Sequence, residues 1–144
     1  MNKNFSYRVQ GVVLREGCVL LQTDARDAEL AYALPGGSVE FGESAADALV
    51  REFHEEMGVA IKAGEFAWVT ENFFTWNEQN YAQIAMTFYV RLIDELPSAD
   101  FAGCEPHLRL HWMPVERLGD ITVYPQNLSE LLCGDAKHVV RKDW

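Results

Sequence analysis

Over residues 44–57 the apolar side chains of this chain recur at three- and four-residue steps, and this change of period constrains the fold more than any other feature. Ala46, Leu49, Val50, Phe53 and Met57 form a single helical stripe. Ser44 is a suitable N-cap, Asp47 stands where a capping box places its acid, and Gly58 can close the helix in a left-handed conformation. Immediately upstream, Leu34-Pro35-Gly36-Gly37 cannot belong to a helix interior. One well-bounded helix, entered from a tight glycine turn, is therefore expected.

The flanking segments read differently. Residues 7–14 and 18–23 are apolar blocks separated by Glu16-Gly17, a pattern that predicts two strands joined by a tight turn. Residues 24–31 are polar and irregular, as in a loop. Residues 66–75 and 81–93 are rich in β-branched and aromatic side chains, with a turn expected over 77–80. A further strand is expected at 108–113, closed by Pro114, and a second helix at 125–132 with Pro125 near its first position. Hairpins mixed with helices predict an α/β (α+β) fold, a mixed sheet covered by helices on its faces. At 144 residues without repeats or linker-like stretches, the simplest expectation is one domain spanning 1–144.

The net charge of −10 disfavours binding to a nucleic-acid backbone. No stretch approaches the roughly 20 apolar residues that cross a bilayer, so no membrane association is expected. The first fourteen residues lack the long apolar run and small-residue cleavage site of a secretion signal, and the expected location is the cytoplasm. Cys18, Cys104 and Cys133 are too scattered for a disulfide framework or a zinc site, and Cys18 is expected inside an apolar strand. His107 and His111 lack the companions a metal site needs.

The chemistry concentrates in residues 37–59. Glu52, Glu55 and Glu56 stand at i, i+3 and i+4 and share one side of the helix, with the apolar stripe largely opposite. Glu40 and Glu43 add acids before it. Oxygen donors without sulfur suit a hard cation such as Mg²⁺, with Mn²⁺ next. The bland alternative is a solvated acidic face. Like-charge pairs cost an exposed helix only ~0.2–0.5 kcal/mol each, and Arg51 can offset part of that by pairing with Glu55 and Asp47.

The complete segment, GSVEFGESAADALVREFHEEMGV, resembles the Nudix box, Gx5Ex7REUxEExGU with U apolar, at every defined position. Assuming average residue usage, a chance match somewhere in this chain has odds on the order of 10⁻⁷. Phe53 is bulkier than the aliphatic residue common at its place. The Trp112-Met113-Pro114 stretch also resembles the family's flanking elements. The resemblance implies an α/β/α sandwich with a central mixed β-sheet, and attack of water on a diphosphate assisted by Mg²⁺. Carried over, it makes Glu52, Glu55, Glu56 and the Gly36 carbonyl the metal ligands. Arg51 becomes the residue that orients the carboxylates, and Glu43 a partner holding the loop to the helix. The general base lies between Glu52 and an acid on a later loop. Glu105 is the candidate there, with Glu78 and Asp94 behind it, against the alternative of a plain surface acid.

The substrate implied is a small nucleoside diphosphate derivative. A nucleoside triphosphate is the default, followed by ADP-ribose or a nucleotide sugar. Trp76, beside a turn, is the aromatic most open to stacking on a base. Asn127 either reads a base or satisfies the start of the second helix. A non-catalytic nucleotide-binding module is the rival outside enzymology. If the domain dimerises, two-fold pairing is the usual form.

Overall fold

A computed structural model describes residues 4–143, so Met1–Lys3 of the amino-terminal reading lie outside the described residues. In chain order the elements are β1 (Phe5–Val12), β2 (Leu14–Arg15), β3 (Cys18–Asp24), β4 (Tyr32–Ala33), β5 (Gly36–Ser38) and α1 (Ala45–Met57). They continue with β6 (Ile61–Trp76), β7 (Gln79–Leu92), β8 (Phe101–Ala102), β9 (Leu108–Pro114), a 3₁₀ turn (Val115–Asp120), β10 (Val123–Tyr124), α2 (Leu128–Cys133) and β11 (His138–Lys142).

Two sheets result. The first runs β11-β6-β7-β1-β5, with β1 parallel to β7, β11 parallel to β6, and the other pairs antiparallel. The second runs β10-β4-β3-β9-β8, with β2 on β3. The expected hairpin at Glu16-Gly17 is thus only partly formed. β2 pairs with β3 through Leu14↔Val19 and Arg15↔Cys18, but β1 crosses to the other sheet. A turn fixes its nearest residues, whereas β1 finds eight partners on β7, enough hydrogen bonds to decide the sheet. Cys18 begins β3 half-buried rather than enclosed, and all three cysteines are free thiols.

The 77–80 turn is a two-residue connection in which Asn77 (φ 49°) and Glu78 (φ 61°) are both left-handed, as a tight hairpin between twisted strands requires. Its first strand begins at Ile61, earlier than expected, with irregular pairing near Phe66.

Two apolar clusters fill the sandwich. Leu49 and Phe53 of α1 pack with Val9, Val13, Leu20, Ile61 and Leu110. Leu128 and Leu131 of α2 pack with Val12, Leu21, Leu34, Trp68 and Met113. Alternation along β1 sorts its side chains, Val9 toward the α1 cluster and Val12 toward the α2 cluster. α2 begins at Leu128 rather than at Pro125, which leaves Pro125 and Gln126 in the preceding turn. Among the described residues no helix is long and apolar enough to cross a membrane.

Candidate metal centre

α1 is capped as its sequence suggests: the Ser44 side chain accepts a hydrogen bond from the Asp47 N–H (3.1 Å), and Gly58 ends the helix at φ 70°. Its buried face is rotated from the expected stripe. Ala45, Ala48, Leu49 and Phe53 are buried while Val50 is exposed. Continued by three- and four-residue steps, this face passes through Glu52 and Glu56. These two carboxylates therefore lie along the inner edge of the helix, not opposite the apolar stripe. The Glu52 side chain is 13% exposed and that of Glu55 53%.

Arg51 organises the acids. Its Nε lies 2.8 Å from Glu43 Oε2 and its Nη2 2.9 Å from Glu43 Oε1, a two-pronged pair. Nη1 reaches Glu52 Oε1 (3.0 Å) and Glu55 Oε2 (3.2 Å), and Nη2 also donates to the Ser38 carbonyl (2.9 Å). Glu43 in turn accepts the Glu40 N–H at 3.1 Å. The Arg51 hydrogen bonds hold the Glu43 carboxyl down at about 2. One guanidinium thus ties the 36–44 loop to the helix. Asp47, an expected partner, is not among its contacts; Glu43 occupies the guanidinium edge instead.

Gly37 has a steric reason to be glycine. A Cβ there would stand 2.4 Å from the Glu52 carboxyl carbon. Only a bare Cα lets β5 and this carboxylate close together. Gly36, beside it on β5 and buried, pairs with Gln10.

Glu56 lies deepest. Burial, followed by the neighbouring Glu52 charge, pushes its carboxyl up to about 8, and its Oε2 is buried without a hydrogen-bond partner. The backbone carbonyl of Glu56 accepts from the Cys104 N–H at 2.7 Å, which brings the 103–107 loop to the helix end. Glu105 rides on that loop. It lies 3.0 Å from His107 Nε2, and its charge is felt by Glu56. His111 instead meets Thr23 and Asp100, so the two histidines serve separate partners.

The other expected site residues disperse. Trp76 is 60% exposed at the hairpin tip. It stands six positions beyond Thr70 on β6, roughly 20 Å at ~3.3 Å per residue. Glu78 occupies the same tip, and Asp94 is engaged with the Ala60 N–H (2.8 Å). Asn127 occupies the N-cap position of α2, yet its side chain makes no capping bond and its Oδ1 is buried without a partner.

One residue was not singled out from sequence. Arg8 stands in β1 between Tyr7 and Val9, half-buried, with Nε enclosed and unpaired. The charges it feels most are Glu56 and Glu52. A lone arginine inside an apolar strand run was the available signal.

Among the described residues no three His, Cys, Asp or Glu side chains already converge as a ligand set. Arg51 draws one oxygen each of Glu52 and Glu55 toward itself. The donor chemistry nonetheless fits a hard divalent cation. Glu56 Oε2 is an unpaired buried oxygen beside Glu52, and the cluster supplies carboxylates only.

Residues 6–132 match the NUDIX domain. Several solved structures share the fold. A MutT NUDIX hydrolase from Burkholderia pseudomallei is 21% identical over 88% of this chain and 96% of its own, with a TM-score of 0.71. A MutT protein from Bacillus halodurans is 18% identical over 96% of this chain and 91% of its own, at 0.72. An ADP-ribose pyrophosphatase from Streptococcus suis is 15% identical over 94% of this chain and 98% of its own, at 0.62.

Proposed function

The chain belongs to the NUDIX domain family, and from that premise we propose that it is a Mg²⁺-dependent pyrophosphohydrolase acting on a nucleoside diphosphate joined to a further group. A nucleoside triphosphate is the first candidate substrate, with ADP-ribose or a nucleotide sugar next. The observation that carries this reading is the placement of Glu52 and Glu56 on the inner edge of α1, against the bare Cα of Gly37, with one Glu56 oxygen left unpaired.

Glu52, Glu55 and Glu56 are the residues that would hold Mg²⁺, joined by the Gly36 carbonyl. When bound, the ion supplies charge neutralisation at the diphosphate and acidifies a coordinated water. The protein's own contribution is orientation. Arg51 fixes Glu52 and Glu55 from behind, so their free oxygens point away from the guanidinium. Glu43 fixes Arg51. Proton acceptance from the attacking water falls to Glu52 or to Glu105. Glu105 is the more exposed and sits on the loop joined to the end of α1. A net charge of −10 makes a cation necessary for an anionic substrate to approach these acids.

The test is product release from nucleoside triphosphates, ADP-ribose, nucleotide sugars and dinucleoside polyphosphates, with Mg²⁺ or with chelator, beside Glu55→Gln. Metal-dependent cleavage of one class, lost in the variant, is the expected result. Nucleotide binding that needs no metal, without turnover, would replace the enzyme with a sensing module.

A further inference from the structure

The face of the first sheet turned toward α2 carries polar groups that the fold does not satisfy. Arg8, Ala85 and Thr70 form one row across β1, β7 and β6, and Gln10, Thr87 and Trp68 form the next. Gln10 and Thr87 partner each other at 3.0 Å. By contrast Arg8 Nε, Thr70 Oγ1 and Trp68 Nε1 are all buried without a partner, although Trp68 is 1% and Thr70 4% exposed. A buried polar atom without a partner costs about 1–3 kcal/mol, so three on adjoining rows are a concentrated expense for a structural surface. Asn127 Oδ1, also unpaired, belongs to the neighbouring start of α2, where Leu128 packs in the same cluster as Trp68.

Arg8 is the most informative member. Among the described residues its side chain makes no ion pair and no hydrogen bond, in a protein with 22 acidic residues. Its row continues on β5 to Ser38, whose carbonyl Arg51 holds, and the charges that act on it most are those of the proposed metal ligands Glu56 and Glu52. A guanidinium so placed has its donors free for planar, two-pronged contact with an oxyanion. We propose that Arg8 is a substrate-binding residue that grips a phosphoryl group of the substrate beside the metal centre, and that Thr70, two strands away on the same row, hydrogen-bonds the adjoining sugar. This rests on the nucleotide-hydrolase reading above and assigns the side of the sheet from which the substrate enters. It requires a substrate with a phosphate directly followed by a hydroxyl-bearing group, as in a nucleoside diphosphate, and predicts weaker binding of inorganic pyrophosphate, which carries no sugar to reach Thr70.

Calorimetric titration of α,β-methylene-ADP, whose bridge cannot be hydrolysed, into the Mg²⁺-loaded protein tests the assignment. Loss of a charged, two-pronged contact should weaken binding about 10- to 100-fold in Arg8→Gln and less in Arg8→Lys. Thr70→Val should weaken it by a few-fold, roughly one neutral hydrogen bond, without lowering the melting temperature. Mg²⁺ alone should bind Arg8→Gln at least as tightly as wild type, because a cation competing for Glu52 and Glu56 has gone. A wild type that binds the probe while both Arg8 variants and Thr70→Val bind it equally well overturns the assignment and leaves the hydrolase reading intact. Weaker Mg²⁺ binding by Arg8→Gln, together with a lower melting temperature, overturns it in favour of a structural role. A wild type that turns over no nucleotide and fails to bind the probe removes both.

Discussion

Two arginines act on Glu52, one by direct hydrogen bond and one through charge alone, and they live opposite lives. Arg51 spends its donors on Glu43, Glu52, Glu55 and the Ser38 carbonyl, all within the loop and helix that carry it. Arg8, on a strand of the adjoining sheet, has no such partner among the described residues. Partners one to thirteen positions away are available to any chain that forms this loop and helix, so Arg51 is part of the architecture. An enclosed donor left unpaired is costly, and it persists where something outside the chain completes it. The contrast separates a group that builds the site from one that we propose a ligand completes.

Removing the metal's carboxylates tests the ground both arginines share and should have the largest effect. Glu55→Gln and Glu52→Gln should each lower kcat by about 10³ or more, since the charge stabilisation at stake is several kcal/mol. Steady-state assays on the identified substrate give the answer, and activity within tenfold of wild type would move the metal elsewhere. The next test sets the arginines against each other. Arg51→Lys keeps the charge but loses the fork, and should cost about 2–3 kcal/mol of stability in urea unfolding. Arg8→Gln should cost far less. Equal losses would erase the distinction.

The buried carboxyl of Glu56 gives a pH signature. Glu56 titrates near 8 in the folded, metal-free protein against an ordinary 4.5, so the folded state holds a proton that the unfolded chain has released. Its contribution is full below 4.5 and is lost as pH rises toward 8, on the order of 5 kcal/mol. Glu43, held down at about 2, works in the opposite sense and in another window: its contribution is present above 4.5 and is lost as pH falls toward 2. Metal-free melting temperatures should therefore decline between pH 5 and 8 in wild type and decline less in Glu56→Gln. Identical slopes would place the titration elsewhere. The smallest expected effect concerns Asn127. A working N-cap costs about 1 kcal/mol to remove, but this side chain caps nothing. Asn127→Ala should leave thermal stability within about 0.5 kcal/mol, and a larger loss would return it to a capping role.

Legibility from sequence followed the range of the interactions. The helix limits at Ser44 and Gly58 depend on bonds spanning a few residues, and the residue types announced them. The 77–80 turn and the strand closed by Pro114 were legible on the same grounds. Which face of α1 points inward was not. The apolar residues at 46 and 50 suggested one rotation, while small alanines at 45 and 48 let the helix lie close against the sheet in another. Pro125 suits a helix's first turn, yet here it stands in the turn before α2, which begins at Leu128. β11 was not anticipated, since its pairing with β6 depends on a strand remote in sequence.

The sequence by itself determined the glutamate spacing, the glycine at 37 and the helix that displays them, because period and backbone freedom are properties of neighbouring residues. The tertiary structure alone decided that Glu52 and Glu56 turn inward, that β1 leaves its hairpin for β7, and that Arg8 comes within electrostatic reach of those acids with its Nε unpaired. Each of those outcomes depends on contacts between segments far apart in the chain, where shape and the satisfaction of buried polar groups, rather than local preference, select the arrangement.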